Sequence, residues 1–397
     1  MQNIYLNNCG IICALGDGLE QVSARLYAGQ SGVAMMERWS PGRELPLGAV
    51  QGELPSIAQL PEHQRSRNNA LALAALAQIR PALNAAIARY GADRVGVVIG
   101  TSTSGIGETE RAIGSHVSDG VLPAGFHYRV QEMSSPAEML AQELGLAAPA
   151  YVHSSACSSA AKAMASAARM IRLGLCDAVL TGGVDSLCAF TVAGFSSLDS
   201  ISAARCNPMS VNRKGINIGE GAALFLMTAD AEGASPVALM GWGESSDGHH
   251  MSAPDPAGAG ARLAMQQALQ RAGVQASQID YINMHGTATP QNDAMESRVI
   301  EGLFGCHVPV SSTKPLTGHT LGAAAAIEAA LCWLVMQEDN ASGRLPPHLW
   351  DGERDPALPA LNLVPDGASL GRPLRRVLSS SFAFGGSNAV LVLGRTA

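Results

Sequence analysis

Lysine is nearly missing from this chain. Of 26 basic side chains only Lys162, Lys214 and Lys314 are lysines, so a lone ammonium inside a patterned stretch stands out. Aromatics are also few, at 4%, which removes the stacking platforms that single-stranded nucleic acid uses. A net charge of −7 gives a polyanion no general attraction, so nucleic acid is not an expected partner. The eight cysteines include no CxxC pair, and most are expected to be reduced core residues of a cytoplasmic protein. The opening, MQNIYLNNCGIICALG, lacks the basic start and cleavage site of a secretory signal. The longest apolar run, residues 321–336, is short for a membrane span and carries Glu328 in its middle. Residues 101–110, TSTSGIGETE, contain neither GxGxxG nor GK followed by Ser or Thr, so a glycine-rich loop beside a substrate channel is expected there in place of a phosphate loop.

What is present is a large apolar content, 47% of residues, with 43 glycines and many alanines. That composition suits a packed core with tight turns and closely spaced helices. Short β-branched runs such as RVGVVIG (94–100) and DAVLTGG (177–183) read as buried strands. They alternate with Ala/Leu-patterned helices at 68–90, 136–144, 259–272, 292–303 and 322–336. The order of elements after residue 236 repeats that before it, which predicts a duplicated, layered α/β core with loops of both halves at a shared seam. Residues 339–370, rich in Pro, Gly and Asp, read as a surface connection.

Residues 151–174, YVHSSACSSAAKAMASAARMIRLG, join a short strand to a long helix through small residues around Cys157. A thiol at a helix N-terminus lies near unpaired N–H groups, which lower its pKa and can bind an oxyanion. A buried cysteine in a packed turn has the same local sequence, so packing and chemistry both fit. Two further segments carry chemistry-bearing residues. NMHGTATPQND (283–293) places His285 at a strand end, and STKPLTGHTL (312–321) places His319 before an Ala-rich helix, with Lys314 nearby. Strand ends and helix starts are where α/β enzymes gather active-site groups. Glu328, in an apolar helix, needs a partner if buried. A Cys–His–His set could hold zinc, but its non-local spacing and missing fourth ligand favour a thiolate nucleophile flanked by imidazoles.

These segments resemble the elongating β-ketoacyl-acyl carrier protein synthases, condensing enzymes of the thiolase superfamily, and the likeness runs over almost the whole chain. SSACSSAAKA resembles the nucleophile segment, HGTATPQND and KPLTGHTLGAAAAIEA the two histidine segments, and SSFAFGGSNAVLVL the glycine-rich closing loop. The resemblance implies a thiolase-like fold with two pseudo-duplicated α/β lobes, residues 1–235 and 236–397, forming a five-layered αβαβα core. It makes Cys157 the acyl-accepting thiol, with His285, His319, Lys314, Glu328 and the gate residue Phe384 completing the catalytic set. Lys314 and Glu328 are expected to form a pair that orients His319 and tunes its protonation. Thr287, Thr289, Phe382, Gly385 and Gly386 are implied in substrate binding, the threonines on the pantetheine arm. No cofactor or metal of its own is implied, since the substrates ride on the phosphopantetheine of an acyl carrier protein.

The implied activity is decarboxylative condensation of a malonyl-carrier with the acyl group on Cys157, in fatty acid, polyketide or aryl-polyene synthesis. The alternatives are a non-elongating partner subunit of a heteromeric complex and an initiating enzyme using acyl-CoA. The carrier partner is expected to be acidic, and Arg65, Arg67, Arg129 and Arg205 are candidates for its basic docking patch. A homodimer is implied, built around the strand near 177–183, with a heterodimer as the other possibility. The chain departs from the family pattern at Ser210 and Lys214, where acids are common, at Ala383, where glycine precedes the gate, and at Ser380, where asparagine is usual.

Overall fold

The structure is a computed structural model that describes residues 3–232 and 236–396. The expected boundary between 235 and 236 begins at a residue outside those described. In the first half the main elements are β1 (Ile4–Cys13), α1 (Arg67–Tyr90), β2 (Val95–Gly100), α2 (Ser135–Glu143), β3 (Ala150–His153), α3 (Ser159–Arg172), β4 (Ala178–Asp185) and β5 (Gly221–Thr228). The second half has β6 (Val237–Ser246), α4 (Ala259–Ala272), β7 (Tyr281–Asn283), α5 (Pro290–Phe304), β8 (Pro309–Ser311), α6 (Ala324–Leu334), β9 (Arg376–Ala383) and β10 (Ser387–Arg395).

The first sheet runs β1-β5-β4-β2-β3 and the second β6-β10-β9-β7-β8. In each, the last three strands are parallel and the first three antiparallel. The halves are therefore one topology used twice. They meet where β1 pairs with β6 through Ile4↔Leu239 and Tyr5↔Ala238.

Side-chain alternation builds the layers. Along β5, Phe225 and Met227 enter a core shared with α3 and α6, whereas Leu224 and Leu226 enter one shared with α1 and α2. The shared inner core also takes Tyr281, Val377 and Leu391 of the second sheet, whose outer residues Ile282, Leu378 and Val390 pack with α4 and α5. The order is helices, sheet, α3 with α6, sheet, helices, which is the five-layered arrangement. β2 and β4 are buried at every residue, which explains their unbroken apolar sequence.

α1 is, by length and composition, able to cross a bilayer, but its apolar residues Leu71, Leu76 and Leu83 are buried against the first sheet. Two expectations are corrected. β4 has both edges occupied, by β2 and β5, so it cannot take a partner strand; the free edge of the first sheet is β3. Residues 106–110 are not loop but the start of a helix, Ile106–Asp119. Its apolar pattern is weak because it buries only Gly107, Thr109 and Ala112.

Candidate active site

The turn before α3 is compressed. Gly100, at the end of β2, approaches α3 so closely that a Cβ there would lie 2.3 Å from the Ala160 nitrogen. Ala156 adopts φ 49°, a left-handed conformation costing about 1–2 kcal/mol for a residue with a side chain. Small residues on either side of Cys157 make this turn possible. Cys157 itself is buried directly before Ser158, the residue that caps α3.

His319 reaches the thiol from the equivalent turn of the second half, with Nε2 3.0 Å from Cys157 Sγ. His285, beyond the end of β7, meets the His319 ring edge-on at 5.4 Å, and its other face is flanked by Phe382 at 6.1 Å. The ligand-capable atoms of Cys157, His285 and His319 lie within 4.8 Å of one another, so the trio could also hold a metal. The 3.0 Å sulfur–nitrogen separation is that of a hydrogen bond.

Burial dominates the electrostatics. It pushes the Cys157 thiol up to about 12, against the opposing effects of Lys314 and the Phe384 backbone N–H. The expected lowering of this thiol is thus corrected: removal from water outweighs the helix N-terminus. Both histidines are held well below their usual range by burial and the Lys314 ammonium, so they are neutral. With both groups neutral, the thiol and the imidazole share one hydrogen bond, whose direction is set by the His319 tautomer.

Lys314 and Glu328 are both buried and ion-paired. Burial outweighs the ammonium at Glu328, whose carboxyl is raised to about 7. Lys314 acts on His319 through its field, in keeping with the expected tuning of His319's protonation, and neither member of the pair is hydrogen-bonded to the His319 ring. The His319 backbone N–H donates instead to the Asn217 carbonyl at 2.6 Å.

A cavity of about 40 Å³ opens beside the trio, lined among others by Thr287, Thr289, Phe382, Ala383 and Phe384. The two threonine hydroxyls are 2.9 Å apart. Phe384 is half-buried with its ring 5.6 Å from Phe195, so the closing loop leans over the cavity. Gly385 and Gly386 do not line it; they turn the chain, at φ 83° and 74°. The arginine candidates do not form one unopposed patch. Arg67 is bound to buried Glu220 at 2.5 Å, Arg129 to Glu132 and Glu138, while Arg65 donates to the Leu60 carbonyl and Arg205 is exposed on another loop.

Two carboxylates central to this geometry were not singled out from sequence as part of the site. Glu296, fully buried, accepts from the His285 and Gly286 N–H groups at 2.7 Å each and from the Ser380 hydroxyl at 2.8 Å. Ser380 thus keeps a hydrogen-bonding group where asparagine is usual. Asp185, also fully buried, accepts from the hydroxyls of Thr101, Ser102 and Thr103 and from the Gly322 N–H. The available signal for Glu296 was the grouping of Asn292, Asp293 and Glu296 on one face of the first turns of α5.

Comparison with known proteins decides the family. The family model described as "Beta-ketoacyl synthase, N-terminal domain" matches residues 2–232, and "Beta-ketoacyl synthase, C-terminal domain" matches 237–349. The chain belongs to the β-ketoacyl synthases. It is a transferase of the β-ketoacyl-acyl carrier protein synthase type, with the thiolase-like fold. A chain of the solved complex of the ketosynthase ApeO with its chain length factor ApeC, from Xenorhabdus doucetiae, is 44% identical with a TM-score of 0.93, covering 100% of this chain and 98% of that one. Nodulation protein E of Rhizobium meliloti (strain 1021) is 31% identical over 98% of both chains. The 3-oxoacyl-[acyl-carrier-protein] synthase 2 of Staphylococcus aureus (strain COL) is 33% identical over 76% of this chain and 75% of its own.

Proposed function

We propose that this ketosynthase elongates acyl chains carried on an acyl carrier protein, with Cys157 as the acyl acceptor. The observation that supports it most directly is the Cys157 thiol 3.0 Å from His319 Nε2 at the start of a helix, with His285 alongside and a threonine-lined cavity leading away.

In the loading step the Cys157 sulfur attacks the carrier thioester. The S–C bond to the enzyme forms, the bond to pantetheine breaks, and the leaving thiol takes up the proton that Cys157 gives up through His319. The N–H groups of Cys157 and Phe384 serve the oxyanion of that tetrahedral intermediate. A malonyl-carrier then enters along Thr287 and Thr289 and loses CO2. Neutral imidazole N–H groups on His285 and His319 stabilise the enolate oxygen without a competing negative partner. The carbanion attacks the acyl carbonyl on Cys157, forms the C–C bond and releases the Cys157 thiolate, which takes up a proton from water.

The other reading, a non-elongating subunit, is weakened by the intact cysteine and both histidines in contact. Intact-protein mass spectrometry after exposure to an acyl-carrier protein tests the proposal. Wild type should gain one acyl mass, located on Cys157, and the Cys157→Ala protein none. Label that persists in Cys157→Ala would sink the assignment.

A further inference from the structure

Of the three lysines, Lys314 is paired with buried Glu328 and Lys214 is exposed on its loop. Lys162 is neither. It stands on α3 one turn beyond Ser158, half-buried on a helix otherwise buried from Ser159 to Ile171 except at Ser166 and Arg169. Its Nζ donates to the Ser387 hydroxyl at 2.5 Å and has no ion-pair partner among the described residues. An ammonium drawn from water without a counter-ion depends on its hydrogen bonds, which are stronger than those between neutral groups.

That lysine fixes the direction of a chain of hydrogen bonds, because an ammonium can only donate. Ser387 Oγ accepts from it. The Ser158 hydroxyl spends its proton on the Ser155 carbonyl at 2.8 Å, so in its 3.0 Å contact with Ser387 it accepts. The protons therefore point one way, from Lys162 through Ser387 and Ser158 to Ser155, and bonds in series polarise one another. The chain joins two segments that bear on the reaction. Ser155 and Ser158 flank Cys157 in the turn strained at Ala156, and Ser387 opens β10 three residues beyond Phe384. Between them lie Gly385 and Gly386, at φ 83° and 74°. Two successive glycines leave that loop little stiffness of its own. Away from the turn it is held by Asp247 and Met251, bonded to Gly386 and Gly385, and toward the turn by Ser387.

We propose that Lys162, through Ser387 and Ser158, sets the spacing of the Cys157 and Phe384 N–H groups and so positions the oxyanion hole. The lysine itself does not line the cavity and acts through the two serines. The Phe384 N–H faces the Cys157 sulfur, so a small shift of the closing loop takes it out of line. Oxyanion donors work within about 2.7–3.1 Å of the oxygen, and a displacement of about 1 Å in such a site costs on the order of 10²-fold.

This role rests on the reading of Cys157 as acyl acceptor, and two reactions of the same thiol separate them. Acylation from an acyl-carrier passes through an oxyanion. Alkylation by iodoacetamide forms the S–C bond as iodide leaves, with no oxyanion. Quenched samples read by intact-protein mass spectrometry, with peptide mapping to Cys157, give both rates. Lys162→Met should slow acylation about tenfold and leave alkylation within about twofold of wild type, a smaller loss than the roughly 10²–10³-fold of deleting an oxyanion donor. Ser387→Ala breaks the chain one bond further on and should show the same selective loss, with the double variant no slower than the slower single one. Acylation unchanged, both reactions slowed alike, or losses that add in the double variant overturn the inference. A wild type that is alkylated but takes no acyl group overturns the acyl-acceptor reading as well. Should Lys162→Met fail to fold, Ser387→Ala decides by the same two rates.

Discussion

Cys157 and His319 occupy corresponding places in the two halves of the molecule. Each lies between an outer parallel strand of its sheet (β3, which is the edge, or β8, which is flanked by the two-residue strand Asn362–Leu363) and the helix of the central layer (α3 or α6). The loops after β2 and β7 correspond too, and each is gathered by a buried carboxylate, Asp185 in the first half and Glu296 in the second. The difference lies in what is left over. In the first half the hydroxyls of residues 101–103 are consumed by Asp185, and the free group is a thiol at a helix start. In the second half Glu296 accepts from the His285 and Gly286 backbone N–H groups and from the Ser380 and Asn292 side chains, and takes nothing from the His285 ring, which stays available. In the proposed mechanism one scaffold thus supplies a nucleophile from one half and neutral proton donors from the other, and the shared seam brings them together.

That division of labour is broken most directly through the histidines. His285 contacts His319 but makes no hydrogen bond to the sulfur, whereas His319 Nε2 is bonded to it. His285→Ala should therefore slow malonyl-carrier decarboxylation by about 10²–10³-fold and leave acyl loading nearly unchanged. His319→Ala should lower both. Loading rates from rapid-quench mass spectrometry, set against CO2 release, distinguish the two. Equal loss of loading in both variants would mean that the halves do not divide the steps as their geometry suggests.

A smaller effect is expected where the second half holds its charge. Removing one member of a buried ion pair leaves the other uncompensated, at roughly 3–5 kcal/mol. Lys314→Met should lose about that much stability in urea denaturation at pH 8. Glu328 has a folded-state pKa near 7, above its ordinary 4.5, so its contribution is favourable at low pH and is lost as pH rises through 7. Without Lys314 that rise goes further, and the deficit of the variant should be larger at pH 8 than at pH 5. A deficit independent of pH would place the cost in packing.

The sequence made some of this legible and hid the rest for physical reasons. Strands β2 and β4 and helices α1 and α3 were readable because burial on both faces, or on one stripe, leaves a pattern in the chain. Cys157, His285 and His319 were readable because each stands among small or apolar residues at an element's end. Glu296 was not, since an acid in the first turns of a helix looks the same whether it faces solvent or a neighbouring loop. The thiol's environment was misjudged for a related reason: the helix start is visible locally, whereas desolvation is set by residues that the fold packs around the thiol from distant parts of the chain. The edge role of β3 was likewise hidden, because strand order is set by the fold and not by any one strand's composition.

The smallest effect concerns the loop that closes over both halves. Ala383, at the end of β9, is buried and its side chain lines the cavity, where the family's usual residue has no Cβ. Its methyl narrows the space beside Phe382 and Phe384 and removes a freely turning position ahead of the gate. Ala383→Gly should widen the range of acyl groups loaded on Cys157, raising the rate for the longest carriers severalfold. That is less than the roughly tenfold or more that one methylene is worth in a fully enclosed apolar pocket, because Phe384 above it is only half-buried. Comparing loading rates for short and long acyl-carriers in wild type and variant measures this directly. If the ratio of long to short is unchanged, chain selection lies deeper than the gate, and the closing loop serves the two halves alike by covering them.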